Sequence, residues 1–137
     1  MHYVHRRLEP VDLVALFRLA DVFLATPLRD GVNLTAKAFV AARIDNSGVL
    51  VLSEFSGAAG DLADAAIVNP YDVGELKRAI AAAADAGRAV GDDSAMRRMR
   101  QSVHRQDVRW WVRRMLEVLD GDRPPVPRQR EAAVELG

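Results

Sequence analysis

Cysteine is absent from this 137-residue chain, which removes a disulfide framework and every thiolate metal site. Net charge is absent as well. The 19 basic and 19 acidic residues cancel, so composition gives no reason to expect a nucleic-acid or membrane surface. No apolar run reaches the roughly 18 to 20 residues that a bilayer crossing needs. The opening Met1-His-Tyr-Val-His-Arg-Arg lacks the apolar stretch of a secretory signal, and the expectation is a soluble, cytoplasmic protein. Lysine is scarce, at Lys37 and Lys77 only, against abundant arginine; we read that skew as nucleotide-composition bias without structural meaning.

What is present is an alternation. Short apolar runs at Tyr3-Val4, Val22–Ala25, Val49–Leu52 and Ala66–Val68 read as buried strands. Between them Val11 to Leu19 and Asn33 to Arg43 repeat at helical spacing, and Val73 to Ala86 is an alanine-rich helix that Gly87 can end. Such alternation predicts parallel βα units, hence an α/β fold with a small Rossmann-like parallel sheet flanked by helices. A chain of this length buries roughly two-thirds of its unfolded surface, enough for one core. After Gly91 the pattern is helical alone. Met96, Met99, Val103, Val108, Trp111, Val112, Met115, Leu116 and Leu119 form an apolar stripe in want of a partner. The domain is expected over residues 1–119. Residues 120–137, rich in proline and charge, are expected to form a disordered tail.

The richest chemistry lies after the second strand run. Pro27 fixes one backbone angle, Asp30-Gly31 is a turn pair in which glycine can take a positive φ, and a helix begins near Asn33. The first amides of that helix, those of Leu34 and Thr35, lack intrahelical partners and lie at the positive end of the dipole, which favours a diphosphate. On spacing alone, the segment reads first as an ordinary loop and an ordinary N-cap.

The words themselves say more. Arg29, Asp30, Gly31, Asn33, Leu34, Ala36 and Lys37 match an Arg-Asp-Gly-x-Asn-Leu run followed by Ala-Lys. Further matches are Ala15–Asp21, Leu50–Ala59 and Ile67–Asp72. Together they resemble the later part of the C-terminal domain of trehalose-phosphate synthases, retaining glycosyltransferases of the GT-B fold that pass glucose from a nucleotide donor to glucose 6-phosphate. The resemblance runs from His2 to about Leu119. It implies that Asp30 bonds a hydroxyl of the donor glucose, with the amides of Gly31, Val32 and Asn33 beside it and those of Leu34 and Thr35 on the phosphate. It places Glu54-Phe55-Ser56-Gly57 in a loop beside the donor, and it implies no catalytic residue in this segment, no metal and no cofactor.

Two departures follow from the same resemblance. Ala38 stands where the family carries a glutamate that accepts hydrogen bonds from the donor ribose, and alanine offers no acceptor. The resemblance also places the acceptor domain, and an arginine and a lysine for the donor phosphates, in segments upstream of those matched. A truncated form, inactive in transfer by itself, is the expectation. The first strand run would sit apart from Val22–Ala25, whose apolar edge would then be open to a second copy or to a complete synthase.

Other residues give weaker signals. His2, His5 and His104 do not converge by spacing on a metal or acid–base set. Ser53 and Ser56 lack the Gly-x-Ser-x-Gly elbow of a serine hydrolase. The arginines from Arg97 to Arg114 are accompanied by Asp92, Asp93, Asp107 and Glu117 and lack base-stacking aromatics, so they read as a solvated helix face and not as a nucleic-acid site. Pro124-Pro125-Val126-Pro127 reads as part of the tail.

Overall fold

A computed structural model describes residues 1–86 and 95–120. The order of elements is α1 (Pro10–Leu19), β1 (Val22–Ala25), α2 (Leu34–Ala42), β2 (Val49–Ser53), β3 (Ala66–Val68), α3 (Val73–Ala86), α4 (Ala95–Arg105) and α5 (Val108–Leu119). Two compact units result, residues 1–105 and residues 106–137.

In the first unit the three strands form a parallel sheet in the order β1-β2-β3, with Val22 opposite Val49 and Val51 opposite Ala66. The central strand explains the apolar runs. Leu50, Val51 and Leu52 are fully buried, because a parallel sheet is covered on both faces and cannot alternate with polar residues. Leu50 and Leu52 face Phe17 of α1, Phe39 and Val40 of α2, Leu62, and Met96 and Met99 of α4. Val51 faces the other way, toward Val68 and Ala83 with Leu76 and Ala79 of α3. Phe17, Phe23 and Phe39 pack as an aromatic trio with centroids 4.9 to 5.8 Å apart. The α/β fold with its small parallel sheet is therefore as expected.

Helix boundaries follow local chemistry. Pro10 opens α1, where its missing N–H costs nothing. Asp72 caps α3 by accepting from the Glu75 amide at 2.9 Å, while Glu75 reaches back to the Asn69 amide at 3.0 Å. The Gly87 stop and the proline-rich tail lie outside the described residues.

Two expectations are corrected. Tyr3-Val4 is no strand: residues 1–9 form no ladder, and Tyr3 and Val4 are exposed. Two apolar residues among His2, His5, Arg6 and Arg7 have no neighbouring strand to satisfy their backbone, so the run does not pair. β1 accordingly bonds only β2, and its other edge carries no strand among the described residues. The apolar stripe after Gly91 is also divided. α4 buries Met96 and Met99, whereas a new helix starts at Asp107, whose carboxylate accepts from the Trp110 amide at 2.9 Å. α5 buries none of its residues.

Candidate functional site

The carboxyl ends of parallel strands are where α/β sheets take ligands, since loops diverge there and helix N-termini point at the opening. Here β1 ends at Ala25 and the chain turns through Asp30 into α2. The Asp30 side chain builds that turn. Its Oδ1 accepts from the amides of Val32 and Asn33, each at 3.2 Å. Asn33 then takes a left-handed conformation (φ 52°, ψ 62°), and its side-chain oxygen caps α2 by accepting from the Ala36 amide at 3.0 Å.

This differs from expectation at two places. The left-handed step falls on Asn33 and not on Gly31, because asparagine tolerates that region and its amide oxygen compensates by capping the helix. The amides of Val32 and Asn33 also already have a partner in Asp30 Oδ1, so they hold the turn together. Among the described residues, no partner meets the amides of Leu34 and Thr35 or the second Asp30 oxygen, Oδ2. Leu34 and Thr35 are exposed, Asn33 and Asp30 partly so. The arrangement thus offers one fixed carboxylate oxygen as an acceptor and two helix N-terminal donors, at neighbouring positions on one surface loop.

The loop after β2 braces this turn. The Asp30 amide donates to the Phe55 carbonyl at 3.3 Å, and the Gly57 amide donates to the Asp30 carbonyl at 2.9 Å, a parallel bridge between Asp30 and Ser56. Glu54 to Gly57 therefore lie beside the Asp30 turn. Ser53 and Ser56 are both buried; their hydroxyls accept from the amides of Phe55 (3.1 Å) and Ala58 (3.3 Å). Those hydroxyls shape the loop and are not presented as nucleophiles. Lys37, in the first turns of α2, pairs with Asp61 at 2.6 Å across to the turn behind the loop.

Ala38 is exposed on α2. Among the described residues no group of three His, Asp or Glu could hold a metal ion, and no helix is long and apolar enough to cross a membrane. Arg98 pairs with Asp64 and Arg114 with Glu117, as a solvated helix face does.

One residue of importance went unnoticed in the sequence. Arg43 is almost fully buried, and its guanidinium donates to the carbonyls of Phe17 (3.0 Å), Arg18 (2.6 Å), Ala20 (3.1 Å) and Ser47 (2.9 Å) and to the Ser47 hydroxyl. It ties the end of α1 to the turn before β2. Nothing in the spacing distinguishes it from the chain's many surface arginines.

A parallel sheet covered on both faces, with an anchored carboxylate and a helix N-terminus at its carboxyl end, fits part of a Rossmann-like domain of the kind found in GT-B glycosyltransferases. A family model, glycosyltransferase family 20, matches residues 1–120, and the chain belongs to that family. It is 48% identical over 124 residues to the trehalose-6-phosphate synthase of Mycolicibacterium vanbaalenii, covering 90% of this chain and 25% of that protein. A structure from E. coli bound with UDP-2-fluoro glucose superposes with a TM-score of 0.78 at 38% identity, over 93% of this chain and 28% of that one. A UDP-forming alpha,alpha-trehalose-phosphate synthase from Burkholderia xenovorans, in complex with glucose-6-phosphate, gives 0.75 at 41% identity, over 87% and 26%. The chain spans about a quarter of the length of the relatives it matches.

Proposed function

We propose that this chain is the donor-holding portion of a trehalose-phosphate synthase, serving glucosyl transfer from a nucleotide-glucose to glucose 6-phosphate. The observation that carries the reading is the Asp30 turn: one carboxylate oxygen locked on the amides of Val32 and Asn33, the other open beside the unpartnered amides of Leu34 and Thr35. An ionised carboxylate fixed in this way can accept from a sugar hydroxyl, and the helix N-terminus can meet the diphosphate's charge. Gly31, Val32 and Asn33 supply the backbone that sets their spacing. Relatives bound to UDP-2-fluoro glucose and to glucose-6-phosphate support the substrate class. In the transfer the bond from glucose to the diphosphate breaks and a bond to the acceptor hydroxyl forms, which needs both substrates held in line and the leaving diphosphate neutralised. The residues of this chain supply the donor-side share. They act in the cytoplasm on this reading.

Calorimetric titration with UDP-glucose tests the proposal. The chain should bind the donor, Asp30→Ala should weaken it by about tenfold or more, and Ala38→Glu, which restores two acceptor oxygens near the helix start, should tighten it. Equal affinity of the chain and Asp30→Ala for UDP-glucose would remove the basis of the reading.

A second reading is favoured by the open β1 edge, Val22-Phe-Leu-Ala25, which carries none of the charges or prolines that normally blunt a sheet edge. It makes the chain an interaction module that pairs with a second copy or with a complete synthase. Light scattering decides it: mass should rise with concentration, and Leu24→Lys should abolish the rise.

A further inference from the structure

Gly57 has no room for a side chain. A Cβ built there would stand 1.8 Å from the carbonyl oxygen of Gly31, 2.5 Å from its carbonyl carbon and 3.2 Å from the Val32 amide nitrogen. All three atoms are backbone, so no rotamer change can relieve the overlap. The reverse is not true of the other glycine in this contact, since a Cβ at Gly31 would meet nothing within 4 Å. Nor does Gly57 take a positive φ. Glycine is required there by close approach alone.

What approaches is the peptide between Gly31 and Val32, whose N–H is one of the two bound to Asp30 Oδ1. Gly57 also donates its own amide to the Asp30 carbonyl at 2.9 Å. Its place is held from behind: the Ser56 hydroxyl accepts from Ala58, the Ala59 amide donates to the Ser56 carbonyl, and Ala58 and Leu62 are fully buried in the core. The rigid post-β2 turn thus presses against the very peptide that sets where the Asp30 carboxylate points.

We propose that Gly57 is a positioning residue for the donor: by admitting the Gly31–Val32 peptide to contact distance it sets the orientation of the Asp30 carboxylate and the entry of α2. Gly57 touches no substrate on this account. The inference rests on the donor-holding reading for its functional half, whereas its structural half concerns the ligand-free chain.

The test uses both halves. In Gly57→Ala the backbone around Gly31 must move to relieve the 1.8 Å contact, and the Asp30 carboxylate that it anchors moves with it. Amide resonances of Gly31, Val32 and Asn33 should shift in the ligand-free variant while those of β2 and α3 stay in place, and UDP-glucose affinity should fall at least tenfold. Unmoved resonances at Gly31 to Asn33 overturn the proposal whether or not the donor binds. Moved resonances with unchanged donor affinity overturn it as well. Loss of donor binding in Asp30→Ala alongside either result shows that the donor-holding reading survives independently. Should Gly57→Ala lose its fold by circular dichroism, Ser56→Ala decides, because it loosens the same turn without overlap: shifts that extend past the local changes at Phe55 to Ala58 and reach Gly31, Val32 and Asn33 support positioning, and shifts that stop at Phe55 to Ala58 contradict it.

Discussion

Two turns of this chain each contain a left-handed asparagine, and they use their polar groups in opposite ways. At the amino end of β2, Asn46 (φ 56°) lies in a turn bound up by the buried Arg43, with Asp45, Ser47 and Arg100 as further partners. At the carboxyl end of β1, Asn33 (φ 52°) lies in a turn that satisfies Val32, Asn33 and Ala36, and there the bonding stops before Leu34 and Thr35. The first turn consumes its donors and acceptors to join α1 to β2. The second stays rigid through Asp30 and Gly57 and keeps two donors and one carboxylate oxygen facing outward. The two turns therefore share a left-handed asparagine and differ in what is left unbonded among the described residues.

Substitutions can break that contrast, and the largest effect belongs to the first turn. Arg43→Ala leaves the buried carbonyl of Phe17 and the part-buried carbonyls of Arg18 and Ala20 without their donor and should cost about 3 kcal/mol in urea denaturation. Asn33→Ala comes next. Holding alanine in the left-handed region and losing the cap should cost about 2 kcal/mol, whereas Asn33→Gly should cost only a few tenths, measured by the same denaturation. Gly48 sits at φ 82°, where an added Cβ would stand only 3.3 Å from the Ala20 carbonyl oxygen and the Arg43 guanidinium, so Gly48→Ala should cost about 1 kcal/mol in thermal melts.

The smallest effect is electrostatic. Partial burial alone would raise the pKa of Asp45, but the Ser47 hydroxyl and the Arg43 guanidinium outweigh it and hold the carboxyl below its ordinary value. A depressed carboxylate contributes stability above its unfolded pKa of about 3.9 and loses it as pH falls through the lower folded value. Stability below about pH 4 should therefore decline slightly faster in the native chain than in Asp45→Asn, followed by acid titration of circular dichroism. Asp45 is half-exposed, so solvent screening keeps the difference small.

Much of this contrast could be read from the residues, and the rest could not for physical reasons. The runs Val22–Ala25, Val49–Leu52 and Ala66–Val68 announced the buried sheet because a two-sided parallel sheet leaves no polar alternation to obscure it. The Asp30 to Thr35 segment was visible through turn residues and through family words. Which glycine the turn needed was not visible: Gly31 looked like the positive-φ position, while the steric demand falls on Gly57 through a contact between the loops that follow β1 and β2. Arg43 was hidden because its partners are backbone carbonyls 23 to 26 residues away. Tyr3-Val4 misled because strand propensity is satisfied only with a neighbour to pair. The stripe from Met96 to Leu119 concealed a cap at Asp107 that separates a buried helix from an exposed one.

On the donor-holding proposal, the unbonded groups of the second turn receive the donor. An amide-resolved nuclear magnetic resonance titration of the chain with UDP-glucose tests it most directly. Saturable shifts are expected at Leu34 and Thr35, with Val32 and Asn33 following and the Asn46–Ser47 turn silent. Shifts centred elsewhere, or spread evenly with none at Leu34 and Thr35, would contradict it.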